Sequence, residues 1–171
     1  MKSVLFVCYG SGHVRMVVPV ARALRDAGLA RVQVLAFTTA APVVREAGLH
    51  LLQVQNFTRA QDAAALVRGR ALAAALGPVA DPHESAAYLG LCFGELADTV
   101  GEDEAWRRYR SQGRQAFLPV TLLSRILGAV APDLLVATNS PRGERAAILA
   151  ARSLGIPSVC LVDLFAVDEV R

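Results

Sequence analysis

Short apolar runs alternate with segments of helical spacing at both ends of the sequence, and this alternation restricts the fold more than any other feature. Near the start, apolar runs at residues 4–8, 32–37 and 49–54 are separated by helix-like segments at 14–27 and 41–47. Continuous apolar runs are typical of strands covered on both faces, and an intervening helix lets consecutive strands pair in parallel. The N-terminal part therefore predicts a parallel sheet with crossover helices.

The alternation returns near the C-terminal end, where residues 134–137 predict a strand, 144–154 a helix and 158–162 another strand. Between the two alternating parts, residues 58–131 are rich in Ala and Leu and contain no strand-like run. Crossovers in such sheets are right-handed. We expect one α/β domain over residues 1–171, with a doubly wound, Rossmann-like parallel sheet of order 3-2-1-4-5 and a helical insert between strands 3 and 4.

Composition excludes several classes of protein. The chain has 171 residues, of which 54% are hydrophobic and 19% charged, which is too apolar for disorder. Its apolar runs fall short of the roughly 20 residues that cross a bilayer, and the first is too short for a signal peptide, so we expect a cytoplasmic protein. The net charge of +3 is dispersed. The one dense basic group, Arg107, Arg108 and Arg110, has no aromatic stacking platform with it, so nucleic acid is not an expected partner.

The cysteines and two of the histidines have a structural interpretation. Cys8, Cys92 and Cys160 lack metal-site spacing, and Cys8 and Cys160 fall in strands predicted to be buried. His50 and His83 have no metal-ligand companion nearby in the sequence. We therefore expect all five residues to be structural.

A sheet of this order has its winding reversal between strands 1 and 4, where ligands bind beyond the carboxyl ends of the strands. The loops at Gly10–His13 and Thr138–Arg142 would flank that crevice. The first loop is not a dinucleotide fingerprint, because Arg15 replaces the third small residue and no acidic residue occurs in 34–42. No Gly-Lys-Ser/Thr follows either, which excludes a P-loop.

Two segments carry a resemblance to a known family. Residues 4–28, VLFVCYGSGHVRMVVPVARALRDAG, and residues 132–163, PDLLVATNSPRGERAAILAARSLGIPSVCLVD, resemble the signatures of the N-terminal domain of GT-B fold glycosyltransferases. The resemblance is nearest to bacterial transferases of cell-surface polysaccharide, related to the enzyme that makes lipid II. It implies that this chain is the acceptor-binding half. The donor-binding domain is expected to be absent from residues 1–171 and supplied by further sequence or a partner subunit.

The resemblance also implies ligands and partners. The co-substrate would be a nucleotide sugar, expected to be a UDP-sugar, with no tightly bound cofactor and a metal-independent mechanism, since no DxD motif is present. The acceptor would be a polysaccharide, a lipid-linked sugar or a small molecule, with peripheral contact to the inner face of the membrane. Trp106, Tyr109 and Phe117 are nevertheless expected in the core. We expect the isolated chain to be inactive and to form homo-oligomers through its uncovered donor-domain face.

His13 is the candidate catalytic base, because the resemblance places a base at this position and imidazoles exchange protons near neutral pH. The alternative is a histidine that caps the helix. Family members with an oriented histidine use an Asp after the fourth strand, whereas Asn139 and Ser140 occupy that stretch here. Asn139 could accept a hydrogen bond from the imidazole, and Asp163 is the possible carboxylate partner.

Seven residues are expected to bind substrate or phosphate: Gly10, Ser11, Gly12, Arg15, Asn139, Ser140 and Arg142. The Gly-Ser-Gly loop would direct backbone N–H groups at the ligand, or it is a turn that needs glycine at positive φ. Arg15 would pair with phosphate or face solvent. Arg142 would reach the crevice, although helix capping with Glu144 in the first turn also explains that stretch.

Two other functions stay open. A UDP-sugar 2-epimerase-like half would be expected to carry a Thr-Arg-Pro-Glu type of turn after strand 1, where this chain has Gly-Ser-Gly-His. A non-catalytic, Rossmann-like binding module would have the same fold without a working base.

Overall fold

A computed structural model describes residues 1–10, 12–77, 81–139 and 142–162. Within them, five strands form one parallel sheet of order β3-β2-β1-β4-β5, which confirms the predicted fold class and strand order. The strands are β1 (Ser3–Cys8), β2 (Arg31–Ala36), β3 (His50–Leu52), β4 (Leu134–Thr138) and β5 (Ser158–Leu161).

Seven α-helices lie in the described part of the chain. They are α1 (Gly12–Asp26), α2 (Ala40–Glu46), α3 (Ala63–Ala75), α4 (Pro82–Val100), α5 (Glu102–Gln112), α6 (Val120–Val130) and α7 (Gly143–Ser153). Short 3₁₀ helices span Val54–Phe57, Ala60–Asp62 and Gly113–Ala116. The segment 58–131 thus contains α3 to α6 and, in its described residues, no strand. None of the described helices is long and apolar enough to cross a membrane.

The central strand explains the continuous apolar run at the start of the chain. All six residues of β1 are buried, and the strand pairs with β2 on one side and β4 on the other. Leu5 and Val7 face a core formed with α7 and the helical segment. Phe6 and Cys8 face a second core formed with α1 and α2. Since both faces of β1 are covered, its residues from Val4 to Cys8 are apolar on both faces.

Two details differ from the sequence-based expectation. Helix α1 begins at Gly12, two residues before the segment 14–27 that the sequence predicts, and Pro19 lies in its interior. A proline there has no N–H to donate to the carbonyl of Arg15. Because Pro19 is exposed, a water molecule can donate a hydrogen bond to that carbonyl instead. Cys8 is buried as predicted, but the prediction for Cys160 is wrong, because β5 is the edge strand and Cys160 is exposed.

Helices α3 and α4 approach each other at two glycines. A Cβ atom added to Gly69 would lie 1.9 Å from the carbonyl oxygen of Ala86, and one added to Gly90 would lie 2.1 Å from that of Ala65. The two backbones are therefore in direct contact, with no room for a side chain at either glycine.

The aromatic residues of the helical segment pack in the core. Phe117 is buried and stacks on Tyr109 with ring centroids 5.5 Å apart. Trp106 lies against Phe93 at a centroid distance of 4.5 Å. These contacts agree with the core role that the sequence favours for them.

Candidate active site at the carboxyl ends of β1 and β4

The loops after β1 and β4 meet where the winding of the sheet reverses. These two strands are hydrogen-bonded neighbours. The helices that follow them lie on opposite faces, since buried residues of α1 belong to one core and those of α7 to the other. The first turns of α1 and α7 therefore border one crevice, as the strand order predicts.

His13 lies in the first turn of α1 and is half-buried. Its Nδ1 atom is 2.9 Å from the hydroxyl oxygen of Thr138, the last residue of β4. Among the described residues, Nε2 has no hydrogen-bond partner. The ring is thus held at Nδ1 alone. A helix-capping histidine would instead accept a backbone N–H of the helix, and the described residues show no such bond to His13.

The hydroxyl of Thr138 continues to a buried carboxylate. Thr138 Oγ1 is 3.3 Å from Oε1 of Glu144, and the backbone N–H of Tyr9 donates to the same oxygen at 2.8 Å. Thr138 and Glu144 are both inaccessible to solvent. A chain of hydrogen bonds therefore leads from the imidazole of His13 through Thr138 to the carboxylate of Glu144.

Packing forces Glu144 into this position. It lies in the first turn of α7, where the helix dipole favours a negative charge. A Cβ atom added to the preceding Gly143 would lie 2.7 Å from Cε2 of Phe37, so α7 begins in close contact with that ring.

Cys8 lies near the same carboxylate and is not reactive. Its burial is the main reason that the pKa of its thiol is raised to about 12, and the negative charge of Glu144 adds to the shift. Cys8 is consequently a protonated, apolar residue and not a nucleophile.

Arg142 is held at the crevice by an aromatic ring. Its guanidinium carbon is 4.4 Å from the centroid of the Tyr9 ring. Tyr9 in turn stacks on Phe37 at 4.9 Å and shares a hydrogen bond with the hydroxyl of Tyr88. Burial is the main reason that the pKa of each phenol lies above its ordinary value, so both are neutral. No salt bridge within the described residues involves Arg142.

The two described glycines of the first loop differ in what they require. A Cβ atom on Gly10 would lie 1.8 Å from Oγ1 of Thr39, so the loop needs glycine there for close packing. The positive-φ residues in the described part of the chain do not include Gly10. Gly12 is exposed, and apart from its chain neighbours and the adjoining helix backbone no described atom lies within 4 Å of a Cβ built on it. This first residue of α1 therefore borders open space.

The remaining sequence-predicted residues divide into three groups. Asn139 directly follows β4, but the oxygen beside the imidazole belongs to Thr138. Arg15 is exposed, and its position two residues after His13 directs it away from that side chain. Three of the predicted residues lie outside the described part of the chain: Ser11, Ser140 and Asp163.

Sequence reasoning missed the contributions of Thr138 and Glu144. It placed Thr138 in the loop beside the crevice but gave it no chemical role, and it attributed Glu144 to the start of a helix. The available signal was a hydroxyl residue at the end of a buried strand followed, six positions later, by a carboxylate in the next helix. Nothing in the sequence shows that Gly143 packs against Phe37 or that the carboxylate of Glu144 is buried.

The other histidines lie away from this site. His50 begins β3, and His83 is in the first turn of α4; both are exposed. In the ranges that the structure describes, no group of three or more His, Cys, Asp or Glu residues could hold a metal ion.

Comparison with protein-family models and with curated proteins found no match. Among solved structures, the chain is similar to the glycosyltransferase VinC in complex with dTDP, at 16% identity and a TM-score of 0.49, over 94% of this chain and 34% of that chain. It is also similar to the glycosyltransferase SnogD from Streptomyces nogalater, at 22% identity and a TM-score of 0.41, over 95% of this chain and 34% of that chain. The chain spans about a third of the length of both structures.

Proposed function

We propose that this chain is the acceptor-binding half of a nucleotide-sugar-dependent glycosyltransferase, with His13 as its general base. The observation that carries the proposal is the state of His13: one ring nitrogen is hydrogen-bonded to buried Thr138, and Nε2 has no partner among the described residues. A general base needs this combination of a fixed ring and an accessible lone pair. The resemblance of the β1–α1 and β4–α7 segments to glycosyltransferase signatures supports the same role.

In the proposed reaction, Nε2 of His13 removes the proton from a hydroxyl group of the acceptor substrate. The oxygen of that hydroxyl forms a bond to the anomeric carbon of the donor sugar at the same time. The bond from that carbon to the nucleoside diphosphate breaks, and the diphosphate leaves with the electron pair. Backbone N–H groups at the start of α1, near exposed Gly12, and the guanidinium of Arg142 would stabilise the departing charge. Such groups would serve a metal-independent mechanism.

The finer assignments belong to the same proposal and come from the resemblance. The donor is proposed to be a UDP-sugar, and the acceptor a polysaccharide, a lipid-linked sugar or a small molecule. The reaction would take place in the cytoplasm at the inner face of the membrane. A donor-binding half, on the same polypeptide or on a partner subunit, would complete the enzyme.

The test is sugar transfer by the complete enzyme, in which this chain is joined or mixed with its donor-binding half. With a panel of nucleotide sugars and acceptors, His13→Gln is expected to lower kcat about 10²- to 10⁴-fold, the usual contribution of a general base. His50→Gln, at an exposed histidine outside the site, is the matched control. Full transfer by His13→Gln would refute the role of His13. Interconversion of UDP-sugar epimers without acceptor would favour the epimerase alternative.

A further inference from the structure

We infer that Thr138 and Glu144 are positioning residues that fix the tautomer of His13, with the proton on Nδ1 and the lone pair on Nε2. The inference deepens the proposed function and rests on it for the effect on sugar transfer. It differs from the dyad implied by the family resemblance, in which a carboxylate contacts the imidazole directly. Here a threonine hydroxyl stands between the two groups.

The direction of each hydrogen bond follows from what its atoms can do. Oε1 of Glu144 receives the backbone N–H of Tyr9 at 2.8 Å, and a backbone N–H only donates, so this oxygen is an acceptor. The hydroxyl of Thr138 has one proton and lies 3.3 Å from the same oxygen. It therefore donates to Glu144, and its own oxygen is left to accept.

The acceptor role of Thr138 assigns the proton of the imidazole. Nδ1 of His13 lies 2.9 Å from Thr138 Oγ1, and a bond between them then requires an N–H at Nδ1. In a neutral imidazole, Nε2 is consequently unprotonated and can accept a proton. The alternative tautomer would place the lone pair of Nδ1 against the lone pairs of Oγ1 and would protonate the nitrogen needed as base.

The hydrogen-bonded series His13–Thr138–Glu144, called the relay below, is rigid because its last two members are buried. Thr138 and Glu144 are inaccessible to solvent, so water cannot replace either hydrogen bond, and bonds in such surroundings are stronger than in water. When Nε2 takes a proton, Nδ1–H keeps its bond to Thr138, and the positive ring lies one hydroxyl away from the carboxylate. No proton passes to Glu144 in this step. The relay thus orients the base and stabilises its charged form without taking part in proton transfer.

The first readout is the tautomer itself, measured by ¹H–¹⁵N correlation spectra of ¹⁵N-histidine-labelled complete enzyme at a pH where imidazoles are neutral. The signals of His13 are assigned by their loss in His13→Gln. We expect the wild-type ring to be protonated at Nδ1. Thr138→Val, which removes the hydroxyl at almost unchanged shape, is expected to shift the ring toward the Nε2–H form, and Thr138→Ser to restore the Nδ1–H form.

The second readout is kinetic. Thr138→Val is expected to lower kcat about tenfold or more with little change in KM, because a wrong tautomer weakens the base and not substrate binding. Thr138→Ser should recover most of that loss. Glu144→Gln is also expected to lower kcat. Since Glu144 also binds the N–H of Tyr9, the decisive variants are those at Thr138.

The two readouts separate the relay from the proposed function. A wild-type ring protonated at Nε2, or a tautomer unchanged by Thr138→Val, overturns the relay. If Thr138→Val shifts the tautomer but His13→Gln leaves transfer intact, the relay is supported and the proposed catalytic function is refuted. If His13→Gln abolishes transfer but Thr138→Val leaves the tautomer of His13 unchanged, His13 remains the base and the relay is refuted.

Discussion

Glu84 is a second buried carboxyl group, and it joins helix α4 to the chain that follows β3. Its two oxygens accept the backbone N–H groups of Val54 and Gln55 at 3.0 and 2.9 Å. Asp81 caps the helix by accepting the N–H of Glu84. Burial nevertheless outweighs these hydrogen bonds and raises the pKa of Glu84 to about 7. The group therefore titrates in the range where proteins are normally handled.

This titration predicts a loss of stability as the pH rises. Because the folded-state pKa is about 7 against an ordinary value of about 4.3, the folded state binds the proton more tightly. The stabilising contribution is complete below the unfolded pKa and is lost as the pH rises through 7. Between pH 5 and 8, the free energy of unfolding is expected to fall by on the order of 2 kcal/mol from this group.

Urea unfolding of wild type and Glu84→Gln across that pH range measures the contribution as a difference between the two curves. Glu46→Gln, at an exposed position, serves as the control and should follow the wild-type curve. Parallel curves for wild type and Glu84→Gln would contradict the prediction.

At the scale of elements, the contact between α3 and α4 depends on glycine. A methyl group at Gly90 would meet the backbone of Ala65, which cannot rotate away as a side chain could. Gly94 lies one turn later in α4, and apart from its chain neighbours and the adjoining helix backbone no described atom is within 4 Å of a Cβ built there. The same substitution thus has opposite consequences at two positions of one helix.

Gly90→Ala is expected to lower the free energy of unfolding by about 1–3 kcal/mol, the usual cost of overpacking, because the helices must separate. Gly94→Ala is expected to raise it by about 0.5–1 kcal/mol, since alanine is the better helix former. Urea unfolding of both variants provides the comparison. Equal effects would show that the close approach does not limit packing.

The elements also show how far sequence reasoning reaches. The strands and crossover helices were predictable because apolar runs and helical spacing are local signals, and the order 3-2-1-4-5 is that of a doubly wound sheet. The position of His13 at the crevice followed from that order. The start of α1 was predicted two residues late, because a helix start depends on the loop before it. Cys160 was predicted to be buried, because an edge strand has the composition of a central one. Glu144 was not identified as part of the site because its burial depends on packing between distant elements.

At the scale of the whole molecule, β1 pairs with one strand that is near in sequence and with one that is far away in sequence. Phe6 pairs with Val34 of β2, 28 positions later, and with Val136 of β4, 130 positions later. Both valines are buried. Closing the longer loop costs about 1 kcal/mol more in chain entropy than closing the shorter one. We therefore expect β1–β2 pairing to precede β1–β4 pairing during folding.

The two valines allow a matched kinetic test. Val34→Ala is expected to slow folding, whereas Val136→Ala should mainly accelerate unfolding, because only the first contact would be formed in the transition state. Stopped-flow measurements across a range of urea concentrations yield both rates for each variant. Slower folding for Val136→Ala alone would reverse the inferred order.

The central position of β1 has a consequence for biosynthesis. The ribosome makes this strand before the other four strands of the sheet, and its second neighbour, β4, follows about 130 residues later. At the usual 5–20 residues per second, that interval is about 6 to 26 seconds. During it, one edge of a strand that is apolar from Val4 to Cys8 has no partner strand on the nascent chain. Translation speed and chaperone capture in those seconds would then decide how much of the protein reaches its native sheet.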